Sequence, residues 1–382
     1  MPGAGAREWL LRRLLVAWLM FAALLAVLGP IFWLYTAATG IGGLDFIAFY
    51  TSSRVFLEQG PLAVFDVGVL TRAQISLSAD WGGQPFLPDL YPPFWIAAHS
   101  WLGWLPVRWA YLVWGLVTIA ATGGALFALA QAMPARDRRL AMVVGAGFLP
   151  VTVNLIQGQS DAFVLLAVGL SLWLWTSGRE GFAGAALGLS LIKPQLGLLL
   201  IVLPFIRGST RAVVGLLVLI AALTVISLAV FGPSVPSAWA HLLTNQAVAS
   251  SEGSTFRPWL SLRGPLVTAG LPITVQYAVL AALAVALVVV LARRRADIAI
   301  DFAAATAGAL LITPHANVHD LVMLLVPGMV LATRQRYRGV VAGAYAGATA
   351  AVWLPLAAPL AGGALLWSAL SRPRVTTSEG AP

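Results

Sequence analysis

Asp45 stands in the run 42–50, Gly-Gly-Leu-Asp-Phe-Ile-Ala-Phe-Tyr, directly after a long apolar stretch. A carboxylate at such a boundary is a rare reactive group. Three further polar clusters interrupt the apolar chain: 154–161 with Asn154, Gln157, Gln159, Ser160 and Asp161; 193–195 with Lys193, Pro194 and Gln195; and 313–320 with His315, Asn317, His319 and Asp320. A carboxylate, an ammonium, two imidazoles and several amides brought to one face would set a base against an anion-binding wall. That pairing suits transfer of a group away from a phosphate. The carboxylate takes the proton of an attacking hydroxyl, while cations and N–H donors hold the phosphate as its charge develops.

Each of these residues also has a plainer reading. Asp45 would cap a surface helix starting near Phe46, and Ser160, Asp161 and Asp320 fit helix N-terminal caps. Gln157 and Gln159 would satisfy backbone at a tight turn. His315 and His319, four apart, would share a helical face as metal ligands, but Pro314 disrupts that geometry, and no metal or other cofactor is expected. Lys193 is hardest to reduce to structure, because Leu191, Ile192 and Pro194 give its charge no partner nearby in sequence. The tryptophans Trp95, Trp101, Trp104, Trp109 and Trp114 read as an interfacial aromatic belt.

The elements that must position these groups are membrane segments. With 60% hydrophobic and 10% charged residues, the chain cannot clothe a soluble domain of its size. The net charge of +9 falls in short clusters between apolar runs, where it acts as a topology signal; no nucleic-acid partner is expected. The absence of cysteine excludes disulfides and thiolate metal sites. Apolar runs occupy roughly 14–35, 107–132, 140–155, 160–176, 181–192, 195–206, 212–231, 273–292, 298–312, 319–332, 339–353 and 356–370. The first reads as a retained signal-anchor helix. Several are shorter than the ~20 residues of a perpendicular span. The expected fold is therefore an all-α polytopic membrane protein with about 12 membrane-crossing or re-entrant helices.

Arginines set the expected orientation. Clusters at 7–13, 136–139, 179, 207–211, 293–295, 334–338 and 372–374 fall on one side, the cytoplasm, provided that Lys193-Pro194 is the tip of a hairpin between two short helices. Both termini would then be cytoplasmic, in a multi-pass protein of the plasma (inner) membrane. The polar segments 36–93 and 232–272 would lie outside, the first with helices near 46–59 and 66–79, the second mixing Trp239, His241, Phe256, Arg257, Trp259 and Arg263 as interfacial helices do. The segment 94–104 reads as re-entrant or surface-lying. Residues 1–372 form one integral-membrane domain, and 373–382 a disordered tail.

In order and spacing, several stretches resemble glycosyltransferase family 87, the polyprenyl-phosphate-mannose-dependent α-mannosyltransferases and their bacterial relatives. They are Asp45-Phe46-x-x-Phe49-Tyr50 followed by Arg54, Gln59-Gly60 and Phe65-Asp66; Tyr91-Pro92-Pro93 and Leu105-Pro106; Gly158-Gln159-Ser160; Gly184-x-x-x-Gly188 leading to Lys193-Pro194; Phe231-Gly232-Pro233 leading to Trp239; and the loop ending in His319-Asp320. The resemblance covers roughly residues 40–330. It implies a C-type glycosyltransferase fold, a sugar donor carried on a polyprenyl phosphate, a lipid or glycan acceptor, and an active site on the outer face. By similarity Asp45 is the catalytic base, and Lys193 and His319 hold the donor phosphate or order the site. His315, Arg54, Gln159 and Tyr91 complete the expected substrate-binding set. Phe49 stands where a second tyrosine is often found, which leaves sugar and acceptor open. The expected reaction is inverting transfer of a hexosyl group, mannosyl by resemblance, without a metal. The alternative class is a polytopic transporter or lipid flippase, for which broken helices and a buried lysine are also natural. No internal repeat and a boundary rather than midplane placement of the polar groups favour the enzyme.

Overall fold

The computed structural model describes residues 4–39, 45–78, 86–245, 260–294, 297–351 and 354–371. Gly42, Gly43, Leu44, Asp80, Phe256, Arg257, Trp259, Arg295, Arg372, Arg374 and the tail 373–382 lie outside them. The described chain is helical with no strand. Its main elements are α1 (Ala4–Thr39), α2 (Phe46–Gln59), α3 (Val67–Ser78), α4 (Pro93–His99), α5 (Val107–Gln131), α6 (Ala135–Ala146), α7 (Leu149–Gln157), α8 (Asp161–Thr176), α9 (Glu180–Gly188), α10 (Thr210–Phe231), α11 (Val235–Leu243), α12 (Ile273–Arg294), α13 (Ile298–Ile312), α14 (Leu325–Ala332), α15 (Arg338–Ala350) and α16 (Ala357–Leu370).

The apolar runs read from the sequence are largely helical over their described residues, but they differ in reach. Among the described residues, four helices are long and apolar enough to cross a bilayer: Met20–Thr39 of α1, α5, α10 and α12. A fifth span results if α6 and α7, bent by 48° at their junction, count as one. Pro150 at the start of α7 has no N–H to continue the helix across that bend. The remaining apolar helices, among them α8 and α13, are shorter. This is a multi-pass membrane protein. α10 is the most exposed of the long helices, with only 6% of its apolar window buried inside the protein, whereas half of α5's window is covered by neighbours.

Ion pairs gather several of the basic clusters at one end of the molecule. Asp137 at the start of α6 faces Arg338 at 3.8 Å, Arg334 faces Asp297 at 3.7 Å, and Asp301 on the first turn of α13 pairs with Arg207. Ser209 donates to Glu180 Oε2 at 2.6 Å, so the chain leaves this end at α9 and has returned to it by α10. Lys193 therefore sits at the tip of a hairpin. A 3-10 turn, Leu189–Ile192, leads into it and the short helix Pro194–Gly197 leads out.

The opposite end carries the polar segments. α2, α3, α4, α11 and the top of α10 enclose a small second core, in which the rings of Phe56 and Phe65 meet Phe231 at centroid distances of 5.6 and 5.4 Å. Trp239 Nε1 donates to the Leu90 carbonyl at 3.3 Å, tying the second polar segment to the first. The helices read at 46–59 and 66–79 are present as α2 and α3. The aromatic belt is corrected in part. Trp95 and Trp114 are buried against Phe49, His99 and Phe163 in the main core, and Trp114 Nε1 donates to the Gly158 carbonyl at 2.7 Å; only Trp104 and Trp109 of that group are strongly exposed. Indoles packed this deeply among aromatic rings, with the Trp114 N–H bonded inside, belong to packing and not to a bilayer interface.

Candidate active site

Asp45 precedes α2, yet its side chain makes no capping hydrogen bond. Its Oδ2 instead accepts from Gln159 Nε2 at 2.8 Å. The Gln159 carbonyl oxygen in turn accepts from the Tyr91 hydroxyl at 2.9 Å, and Ser160 Oγ donates to that hydroxyl at 2.7 Å. Burial pushes the Tyr91 hydroxyl pKa well up, so it stays a donor across the working pH range. The amide orientation of Gln159 is fixed from both ends.

This contact requires the turn after α7 to touch the start of α2. Gly158 makes it possible. Its φ of +71° suits glycine, and a Cβ there would lie 2.6 Å from that of Phe46. Trp114 and Tyr111 of α5 hold the carbonyls of Gly158 and Ile156, which locks the turn against the central helix.

Beside Asp45 lies a buried charge cluster. Lys193 Nζ sits 2.7 Å from Asp161 Oδ1 and 2.9 Å from Asp320 Oδ1. Asp161 Oδ2 accepts from Asn154 Nδ2 at 3.1 Å and lies 2.8 Å from His319 Nδ1. Asp320 Oδ2 accepts from the Asn317 amide at 2.7 Å. Since carboxylates only accept, His319 carries its proton on Nδ1 toward Asp161, which turns Nε2 toward Asp45 Oδ2, 3.7 Å away. That Nε2 is buried and has no hydrogen-bond partner.

Two readings change here. Ser160 and Asp161 do not cap α8 through their side chains; Asp161 is fully buried and joins Asn154, Lys193 and His319. Lys193 is not a bare cation either, because two carboxylates from distant segments supply the partners its sequence neighbours lack. The side chains of Asp161, His319 and Asp320 are close enough to one another to share a metal ion. Lys193 Nζ already lies within hydrogen-bond distance of both carboxylates, so the donor set is engaged by an ammonium. His315 is not part of that set; burial lowers its pKa and favours the neutral ring.

Asp45, Tyr91, Gln159, Lys193, His315 and His319 all line one cavity of about 790 Å³. Below its polar head the walls are apolar, formed by Leu198 and Val202 on one side and by Leu280, Ala284 and Val288 of α12 on the other. Those α12 positions share a helical face and descend from the polar head toward the basic end. Arg54 is the exception among the residues expected at the site. It donates to the Gly103 carbonyl at 3.2 Å and pairs with Glu58 on the exposed side of α2, away from the cavity. At about 100° per residue, nine residues from Asp45 place it half a turn off the Asp45 face.

The family model of glycosyltransferase family 87 matches residues 90–314. The chain belongs to glycosyltransferase family 87. It is a membrane glycosyltransferase, with a sugar donor and an acceptor. No curated protein and no solved structure matches it. Within the matched stretch lie Tyr91, Gln159, Asp161 and Lys193; Asp45 precedes it, and His315, His319 and Asp320 follow it. The match is thus narrower than the resemblance over 40–330. The family's matched core and the flanking segments meet only in three dimensions, through Gln159 to Asp45 and through Asp161 to His319.

Proposed function

We propose that this family 87 chain transfers a hexosyl group, mannosyl by resemblance, from a polyprenyl-phosphate sugar to an acceptor hydroxyl, with inversion, on the extracytoplasmic side. The observation that carries the reading is a single cavity with the Asp45 carboxylate and the Lys193–Asp161–Asp320–His319 cluster at its head and an apolar groove beneath. A sugar phosphate on a long hydrocarbon chain has the same division.

Asp45 Oδ takes the proton of the acceptor hydroxyl. The freed oxygen attacks the anomeric carbon from the face opposite the phosphate, the bond from that carbon to the phosphate oxygen breaks, and polyprenyl phosphate leaves with the electron pair. Gln159 and Tyr91 hold the base in position, while joint placement of donor and acceptor in the cavity supplies near-attack geometry, worth up to roughly 7–11 kcal/mol in favourable cases. An ammonium has three donors. Two of those on Lys193 are directed to Asp161 and Asp320, which leaves the third for a phosphate oxygen at the cavity head, beside His319 and His315. The prenyl chain lies along the α12 face.

In this reading the fold is of C-type, with the short apolar helices serving as crossing or re-entrant segments to a total of about 12, the basic end cytoplasmic with both termini, and residues 1–372 one domain. The test is incubation of membranes containing the chain with a panel of radiolabelled polyprenyl-phosphate sugars, followed by isolation of the product. Transfer of label from polyprenyl-phosphate mannose into a new glycoside of inverted configuration is expected. Transfer from a nucleotide sugar instead would reject the donor, and accumulation of unchanged substrate in proteoliposomes would favour a transporter.

A further inference from the structure

A second cavity, of about 740 Å³, lies at the basic end, between α9 and α10. It is separate from the carboxylate cluster and shares no residue with the cavity that holds it. Its origin is the close approach of two helices. Gly184 lies against the Ala212 backbone and Gly215 against that of Gly181, so near that a Cβ at either position would collide. Small residues at the line of contact leave a trough on the outer side, bounded by Phe182, Val214 and Val218. These three are 72%, 54% and 63% exposed. A trough of this kind on the most lipid-exposed helix faces hydrocarbon.

Its mouth is not apolar. Arg179 immediately precedes α9 and Arg211 lies on the first turn of α10; both are exposed, and neither guanidinium has an ion-pair or hydrogen-bond partner among the described residues. The nearby carboxylate, Glu180, accepts from Ser209 Oγ at 2.6 Å. Two helices begin here, and their N-terminal dipole ends add positive potential. We propose that this trough binds an anionic glycerophospholipid of the surrounding leaflet. Arg179 and Arg211 hold the headgroup phosphate, and one acyl chain lies along Phe182, Val214 and Val218. Charge complementarity selects the headgroup, and basic pockets between membrane helices bind such lipids by this means. The site is independent of the glycosyl-transfer reading, since no residue is common to both.

The test is native mass spectrometry of the full chain in detergent, titrated with phosphatidylglycerol or phosphatidylcholine of matched chains. Phosphatidylglycerol is expected to bind about tenfold more tightly, with the preference shrinking as salt rises. Arg179→Gln with Arg211→Gln should abolish the preference, whereas Arg136→Gln, outside the trough, should leave it intact. Ala222→Trp, which fills the apolar end without touching a charge, should weaken both lipids together. Equal binding of the two lipids by the wild type, or an unchanged preference in the double variant, overturns the proposal. If the double variant does not fold, Arg179→Gln alone decides, with a partial loss expected and no loss contradicting it.

Discussion

Gln159 Nε2 donates to Asp45 Oδ2 at 2.8 Å across 114 positions of sequence. Because the same side chain accepts from Tyr91 at its other end, Gln159 can only present its N–H to Asp45. The carboxylate is thereby oriented without any capping role for Asp45 on α2.

Gln159→Leu keeps the volume and removes both bonds. Hydrogen bonds to a charged group contribute about 1.5–3 kcal/mol, so a loss of roughly tenfold to hundredfold in kcat is expected. Steady-state assays with the labelled donor should show the loss in kcat with KM for the donor nearly unchanged. A change confined to KM would place Gln159 on the substrate rather than on the base.

Lys193→Met leaves Asp161 and Asp320 buried without their shared counter-ion. Removing one partner of a buried pair costs about 3–5 kcal/mol, so thermal unfolding of the purified protein in detergent should drop sharply. Adding Asp161→Asn to Lys193→Met should recover part of the loss, since one uncompensated charge goes with it. Additive losses in the double variant would contradict the coupling drawn here.

The ammonium between Asp161 and Asp320 also bears on metal use. Transfer in the presence of a strong chelator is expected to match transfer without it. Loss of activity that returns on adding magnesium or manganese would mean that a cation displaces Lys193 from its carboxylates.

Arg54→Gln should change donor KM by no more than about twofold, in line with a surface pair of low value. Its guanidinium faces Glu58 and the Gly103 carbonyl outside the cavity. A large rise in KM would return Arg54 to the donor site.

Much of this arrangement was legible in the chain, and the failures have physical causes. Asp45, Gln159, Lys193 and His319 stand out because polar groups in apolar surroundings are costly, and the charge rule required the hairpin that places Lys193 at a tip. Asp161 and Asp320 were read as helix caps because a cap and a buried counter-ion present the same pattern, an acidic residue before an apolar run. The missing signal was Lys193 itself, whose lack of a local partner demanded carboxylates from elsewhere. Arg54 was misplaced although helical periodicity alone puts it opposite Asp45. The short helices carry the hydropathy of spans, but hydropathy reports burial and lipid exposure alike, and much of α8 and α13 is covered by other helices.

The transfer reading depends on Asp45 as the base. Asp45→Asn preserves size and can still accept from Gln159, but it cannot take a proton. With a labelled polyprenyl-phosphate mannose, purified Asp45→Asn should bind the donor within a few-fold of wild type and show no measurable transfer. Near-normal transfer by Asp45→Asn would contradict the account.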